Sequence, residues 1–283
     1  MSGAQGQPSR LTFRDKVDVC WQKQLRDKHN AEGVPPVPHL DVKRAIVRPV
    51  SRELAKQIIY KYEWLGTMSN SAMHFGIFFG QYCAGVTCVS IGSGTAGSNV
   101  NKTYGVSGVE LLTLVRGACV HWSPNGVNSK LVSWTCRLLS AMKRYKLITA
   151  YSDTDAGEVG TIYQACGWTY VGMSGSVRQI IAPNGVIRDE KILHDWGKPN
   201  GMNKTVALKR FKDAGWTVQK TNPKHRYVYV LDKQDRALVD RVEAMRQPYP
   251  KRVPRGSGEI DSAANTNSQT GGARPTVPLY SQV

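Results

Sequence analysis

Between Lys43 and Met173 the chain switches repeatedly between two hydrophobic periods, and that switching admits few architectures. Short apolar runs of period two are strands, and longer stretches with an apolar side chain every three or four residues are helices. Lys43–Pro49 is the first expected strand. Ser51 can cap a helix that runs to Trp64, with Leu54, Ile58, Ile59 and Tyr62 on one side. Phe75–Phe79 and Cys83–Ile91 flank the turn GQY and predict a hairpin. The Gly/Ser/Asn-rich residues 92–108 form a loop, and Val109–Val120 is the longest buried strand. Lys130–Tyr145 is an amphipathic helix with Leu131, Trp134, Leu138 and Met142 facing inward, followed by a strand at Leu147–Tyr151. A short helix, Glu158–Cys166, closed by Gly167, and a strand, Trp168–Met173, complete the order β-α-β-β-β-α-β-α-β. The fold class that follows is mixed α/β, a central mixed sheet flanked by helices.

The flanks differ in texture. Residues 1–38 are a polar lead, with one possible helix from Phe13 to His29 carrying Phe13, Val17, Trp21 and Leu25, and a Pro-rich linker. Residues 39–176 form the domain that bears the chemistry. Residues 177–252 are a basic C-terminal extension packed on the same domain, with a strand at Val177–Ala182, a helix at Lys204–Ala214 and a late strand at Arg226–Leu231. Residues 253–283 have little to bury and are expected to be a disordered tail.

Composition narrows the class. Hydrophobic residues make up 41% of 283, enough for a core. No run approaches ~20 apolar residues, so no spanning helix is expected, and the polar N-terminus does not resemble a signal peptide. A cytoplasmic location is the expectation. The six cysteines contain no CxxC pair and are expected to be reduced, with no metal. Against 21 Asp+Glu stand 38 Lys+Arg, a net charge of +17. That excess points to a polyanionic partner, double-stranded DNA first and tRNA second. No basic amphipathic helix with an aromatic face points to a membrane.

Candidate residues follow from position. Asp153 stands at the carboxyl end of a buried strand, where ligands collect in α/β sheets, and its carboxylate can orient or deprotonate an amine. Asp155 is expected only to cap the next helix, and Tyr151 to be structural. His74 opens the first hairpin strand and can serve as a base. Lys204, Lys209, Arg210 and Lys212 share one expected helix, and Lys220, Lys224, His225 and Arg226 follow. Such a stripe suits a phosphate backbone. Trp216, Tyr227 and Tyr229 can stack on bases or pack a core. His194, Asp195 and Trp196 suggest no chemistry.

The element order and the segment TIYQACGWTYVG, Thr161–Gly172, resemble the GNAT superfamily of acyltransferases. The resemblance gives Tyr163 the position of a general acid. It places Tyr62, Glu63 and Trp64 at the acceptor pocket, where an aromatic ring can stack on a flipped base. It also implies a donor pyrophosphate at the turn HWSPNGVNSK, held by Asn125, Gly126, Ser129 and Lys130, with Arg116 and Gly117 upstream and His121 and Trp122 alongside. The spacing of that turn departs from the superfamily pattern.

A narrower resemblance covers residues 40–175: LTLVRGACVHWSPN and AYSDTDAGEVGTIYQACGW are similar to the phage Mom family of DNA adenine modification proteins. It implies a carbamoylmethyl group added to adenine N6, which hides phage DNA from restriction enzymes. Asp153 or His74 would take the amine proton, Tyr163 would assist the leaving group, and a backbone N–H of the hairpin would hold the carbonyl oxygen. The donor is acetyl-CoA by superfamily default, or glycyl-tRNA, which supplies every atom of the added group. Two other classes stand beside this reading: a protein or small-molecule N-acetyltransferase, and a non-catalytic nucleic-acid-binding phage protein.

Overall fold

The computed structural model describes residues 20–92, 102–176, 178–185 and 187–251. The expectations for Phe13, Val17, most of the 92–108 loop and the tail lie outside them. Trp21–Asp27 (α1) is helical, and Val42–Arg44 is a single 3-10 turn capped by the Asp41 carboxylate. Then come β1 (Ile46–Pro49), α2 (Arg52–Tyr62), β2 (Met73–Phe79), β3 (Tyr82–Ile91), β4 (Leu111–Cys119), α3 (Val127–Ala141), β5 (Leu147–Ser152), α4 (Thr161–Ala165) and β6 (Thr169–Met173). The order matches the one expected. Ser51 caps α2 as predicted, its hydroxyl accepting from Leu54 N at 3.2 Å.

The 177–252 stretch is not one extension. Residues 223–252 belong to the same compact unit as the N-terminal part, and residues 175–222 form a second unit. In the first unit β10 (His225–Val230) inserts between β5 and β6, giving the order β1-β2-β3-β4-β5-β10-β6. Every neighbouring pair is antiparallel except β4–β5. The sheet is therefore mixed and flanked by helices. A final helix, α7 (Arg236–Glu243), is capped by Asp235. The second unit holds β7 (Arg178–Ile181), β8 (Ile187–Asp189), α5 (Lys191–Gly197), α6 (Lys204–Asp213) and β9 (Thr217–Lys220). Its sheet runs β8-β7-β9, and its small core gathers Ile180, Leu193, Ala207 and Phe211.

Both faces of the main sheet are covered. α2 buries Ala55, Ile58, Ile59 and Tyr62 against Ile77, Phe79, Val86 and Cys88. On the opposite face, α3 sets Val132, Cys136 and Leu139 against Leu112, Leu114, Ile148 and Ala150. The α2 side is continued by α7, where Leu238 and Val242 meet Leu111, Leu147, Val171 and Val228.

The inward stripe of α3 differs from the expected one. Trp134 and Met142 are exposed, 40% and 46%, while Thr135 and Cys136 are buried. Leu131 is buried as expected and Leu138 packs partly against the core, but Trp134 and Met142 are too far round the helix, and Thr135, Cys136 and Leu139 take the inward positions. The Thr135 hydroxyl meets that of Thr87 at 3.0 Å. Trp134 instead carries the Arg137 guanidinium 5.0 Å from its ring centroid.

Candidate active site at the opening between two parallel strands

β4 and β5 pair only from Leu111↔Leu147 to Leu114↔Ala150. Beyond that point Val86, Thr87 and Cys88 of β3 hold β4, while Tyr151 and Ser152 turn to β10. Two parallel strands that part leave backbone groups and a cleft at their carboxyl ends, the place where an α/β sheet accepts a ligand. A bulge between Cys88 and Val89 in the β3–β4 pairing re-aims the next β4 residue. Leu114 sits in the α3-side core, whereas Arg116 lies opposite Cys88, which packs under α2.

At the end of β5 the segment 153–160 folds into a tight carboxylate loop. Gly157 and Gly160 adopt left-handed backbone (φ 68° and 66°) that a side chain disfavours. The Asp153 N–H donates to Glu158 Oε2 at 3.1 Å, and the Glu158 N–H donates to the Asp153 carbonyl at 3.0 Å. The Asp153 carboxylate is itself engaged at both oxygens: Oδ1 accepts from Asp155 N at 2.9 Å and Oδ2 pairs with Lys224 Nζ at 2.9 Å. Thus Asp153, not Asp155, is the cap of the following turn.

Glu158 is the chemically distinctive member. Burial pushes its carboxyl up to about 7, opposed by the Asp153 N–H and reinforced by the charges of Asp153 and Glu63. Glu63, at the end of α2, is also pushed up to about 7 by burial, with Arg116 and the Leu65 and Gly66 N–H groups pulling the other way. Its Oε2 accepts from Leu65 N at 3.0 Å and Gly66 N at 3.2 Å and stands 3.9 Å from Arg116 Nε. Lys224 acts on both glutamates. One lysine therefore serves three carboxylates, two of which hold protons near neutrality.

Tyr163 on α4 joins this group. Its ring packs 5.0 Å from Trp168 and 5.3 Å from Tyr227. Burial, and next the charge of Glu158, raise its hydroxyl beyond the usual tyrosine range, so it stays protonated. Among the described residues that hydroxyl has no hydrogen-bond partner. The Tyr227 hydroxyl, by contrast, donates to Val159 O at 2.7 Å and accepts from Gln164 Nε2 at 3.0 Å, which fixes the ring behind Tyr163.

Other predicted residues are placed elsewhere. His74 lies on β2, with β3 and β4 between it and β5, roughly 14 Å in strand spacings. Its Nε2 meets Ser71 Oγ at 2.8 Å, and burial, then Arg52, lowers its pKa. It is a neutral hairpin-edge side chain apart from the carboxylate group. Tyr62 is buried, its hydroxyl 3.0 Å from His121 Nδ1, and Trp64 packs edge-on to Trp21 at 5.3 Å. Lys209 and Arg210 are exposed on α6 of the second unit, and Lys224 and Arg226 belong to the first.

The expected pyrophosphate set fits only in part. Gly126 has φ 88° and starts α3, leaving an uncapped helix N-terminus, with Ser129 Oγ returning a hydrogen bond to Gly126 O at 3.0 Å. Asn125 is exposed beside it, and Gly117 lies within β4. Lys130 and Arg116 do not fit. Lys130 Nζ donates to the carbonyls of Val42 and Lys43 at 2.7 and 2.8 Å. Arg116 donates to Thr67 O at 3.0 Å and Val115 O at 2.7 Å.

Sequence reasoning missed Glu158, treating it only as a helix start. The available signal was DTDAGEVG, three acids within six residues bracketed by glycines in a chain otherwise dominated by cations. Among the described residues no three His, Cys, Asp or Glu side chains converge as metal ligands, and no helix is long and apolar enough to cross a membrane.

Solved structures that resemble the chain include a spermidine N-acetyltransferase from Vibrio cholerae in complex with CoA and spermine. It is 9% identical over 68% of this chain and 98% of that one, with a TM-score of 0.37. FeeM, an N-acyl amino acid synthase from uncultured soil microbes, is 15% identical over 67% and 92%, TM-score 0.37. A GNAT-family acetyltransferase from Streptococcus pneumoniae is 11% identical over 66% and 99%, TM-score 0.36. No curated protein matches the sequence. The model of the Mom protein family matches residues 44–251, which takes in the whole carboxylate loop, Lys224 and the inserted residues 175–222. The chain belongs to the Mom protein family.

Proposed function

We propose that the protein is a DNA-modifying transferase that joins an acyl or aminoacyl group to the N6 amine of adenine in double-stranded DNA. The observation that carries this is the carboxylate loop at the end of β5, where Glu158 bonds the Asp153 backbone, is pushed up by burial to about 7 and acts by its charge on Tyr163. An exocyclic amine conjugated with a ring is a weak nucleophile, so transfer needs a positioned base and a water-poor site. Glu158 ionises near neutrality and takes the amine proton. Tyr163, still protonated, gives its proton to the departing oxygen or sulfur. Asp153 acts through position: it fixes Lys224 and the backbone N–H that holds Glu158. The base must leave the duplex stack to reach this cleft.

Family membership and the net charge of +17 support nucleic acid as the acceptor. The resemblance that implies a carbamoylmethyl product also favours a glycyl ester donor. Attack of N6 on the glycyl carbonyl, then of the glycyl amine on C6, leaves the original N6 as the amide nitrogen, with every atom accounted for. An aminoacyl ester needs no pyrophosphate clamp, which agrees with Arg116 and Lys130 being held by backbone carbonyls. Shielding phage DNA from restriction in the host cytoplasm would follow from such a product.

The test is mass spectrometry of nucleosides from plasmid DNA after bacterial expression of wild type, Glu158→Gln and Tyr163→Phe. A heavier adenine nucleoside with wild type, reduced in both variants, is expected. Unchanged nucleosides from soluble wild-type protein would sink the proposal.

A further inference from the structure

The α7-covered face of the sheet carries a cation that the chemistry above does not use. Arg226 on β10 stands opposite Tyr151 on β5, so both side chains leave the same face. Tyr104 reaches that face too, packed with Leu111, Leu147 and Val228. Tyr104 is fully buried, and among the described residues its hydroxyl has no hydrogen-bond partner. Among the same residues Arg226 Nε is likewise buried and unpartnered. The guanidinium makes one long bond, Nη2 to Val171 O at 3.4 Å, and among the described residues has no ion-pair partner. Burial raises the pKa values of Tyr104 and Tyr151, and the Arg226 charge pulls each back down.

A half-buried arginine paired across the strands with Tyr151, and with no ion-pair partner among the described residues, suits an oxyanion, because the fork of N–H donors matches phosphate geometry. The position selects which phosphate. Arg226 lies two residues beyond Lys224, roughly 7 Å of extended chain, on the face opposite α3. The donor end is expected at the α3 N-terminus, whose Val127 and Leu131 pack with Ala118 and Val120 at the end of β4, and β5 lies between β4 and β10, so an anion at Arg226 is assigned to the acceptor. We propose that Arg226, with the hydroxyl of Tyr151, binds a backbone phosphodiester of the DNA strand that carries the target base. This rests on the nucleic-acid reading above.

The test is fluorescence anisotropy of a labelled DNA duplex across a salt series, with wild type, Arg226→Gln and Tyr151→Phe. Arg226→Gln is expected to weaken binding about tenfold and to lower the slope of log affinity against log salt by about one. Tyr151→Phe keeps the ring and loses only a neutral hydrogen bond, so it should weaken binding by about threefold, and it carries the test if the arginine variant fails to fold. Coenzyme A titrated by calorimetry should give the same response, binding or none, with wild type and Arg226→Gln. Folded Arg226→Gln with an unchanged affinity and slope overturns the proposal, as does a loss confined to coenzyme A, which would assign the site to the donor. Wild type that does not bind DNA overturns the nucleic-acid reading itself, a result separate from failure of the variants alone.

Discussion

Glu158 and Glu63 sit so close in character that their difference lies in what each one holds. Glu63 spends an oxygen on the Leu65 and Gly66 N–H groups and stands by Arg116, closing the end of α2. Glu158 has one backbone donor and faces Tyr163. Loss of the base should therefore separate from loss of the bend. Glu158→Gln is expected to lower product formation at least a hundredfold while DNA affinity measured by anisotropy stays within twofold. The rate with wild type should climb with pH and reach half its plateau near 7, the value to which burial pushes Glu158. Stability should run the other way. Both glutamates bind protons more tightly folded than unfolded, so the folded state holds protons that the unfolded chain releases between the ordinary carboxylate range and about 7. Unfolding free energy then falls as pH rises through that window. Denaturant titrations at acid and alkaline pH check it, and either glutamine variant should flatten the dependence.

At the scale of elements, the carboxylate loop depends on Gly160. A Cβ there would lie 2.3 Å from the Tyr227 ring and 2.8 Å from Ser152 Oγ, on backbone with φ 66°. Gly160→Ala should cost about 1–3 kcal/mol and displace α4 with its Tyr163, visible as a lower melting temperature together with lost activity. Lys130 makes a contrasting case. Because its ammonium ties α3 to the 3-10 turn at Val42–Arg44, Lys130→Met should destabilise by about 1–3 kcal/mol and leave coenzyme A affinity unchanged. A fall in that affinity without a fall in stability would restore Lys130 as a phosphate ligand.

Over the whole molecule, the second unit is an insertion into the first. Its two flanks meet: Ser174 N donates to Lys224 O at 2.8 Å, and Lys224 N donates to Ser174 Oγ at 3.0 Å. Replacing residues 175–222 by a short Gly-Ser linker should therefore leave the seven-stranded sheet intact, with a cooperative thermal transition. The excised piece carries Lys209, Arg210 and Lys212, exposed on α6. Its removal should weaken DNA binding and flatten the salt dependence. Aggregation of the shortened protein, or undiminished DNA binding, would show that the insertion serves some other purpose.

Strand and helix order were legible in the sequence because period, caps and turn glycines are local properties: Ser51, the GQY turn and Gly167 need no distant partner. Asp153 after a buried strand and Tyr163 on a short helix before a turn glycine stand where the sequence placed them. What the tertiary structure decided is everything that joins distant segments. It brought Lys224 to Asp153 across 70 intervening positions by threading β10 between β5 and β6. It turned Arg116 toward α2 through a bulge, and it committed Lys130 to carbonyls some ninety residues away. It also raised the Glu158 carboxyl by burying it, since a carboxyl is pushed toward neutrality only by the surroundings that the folded chain supplies.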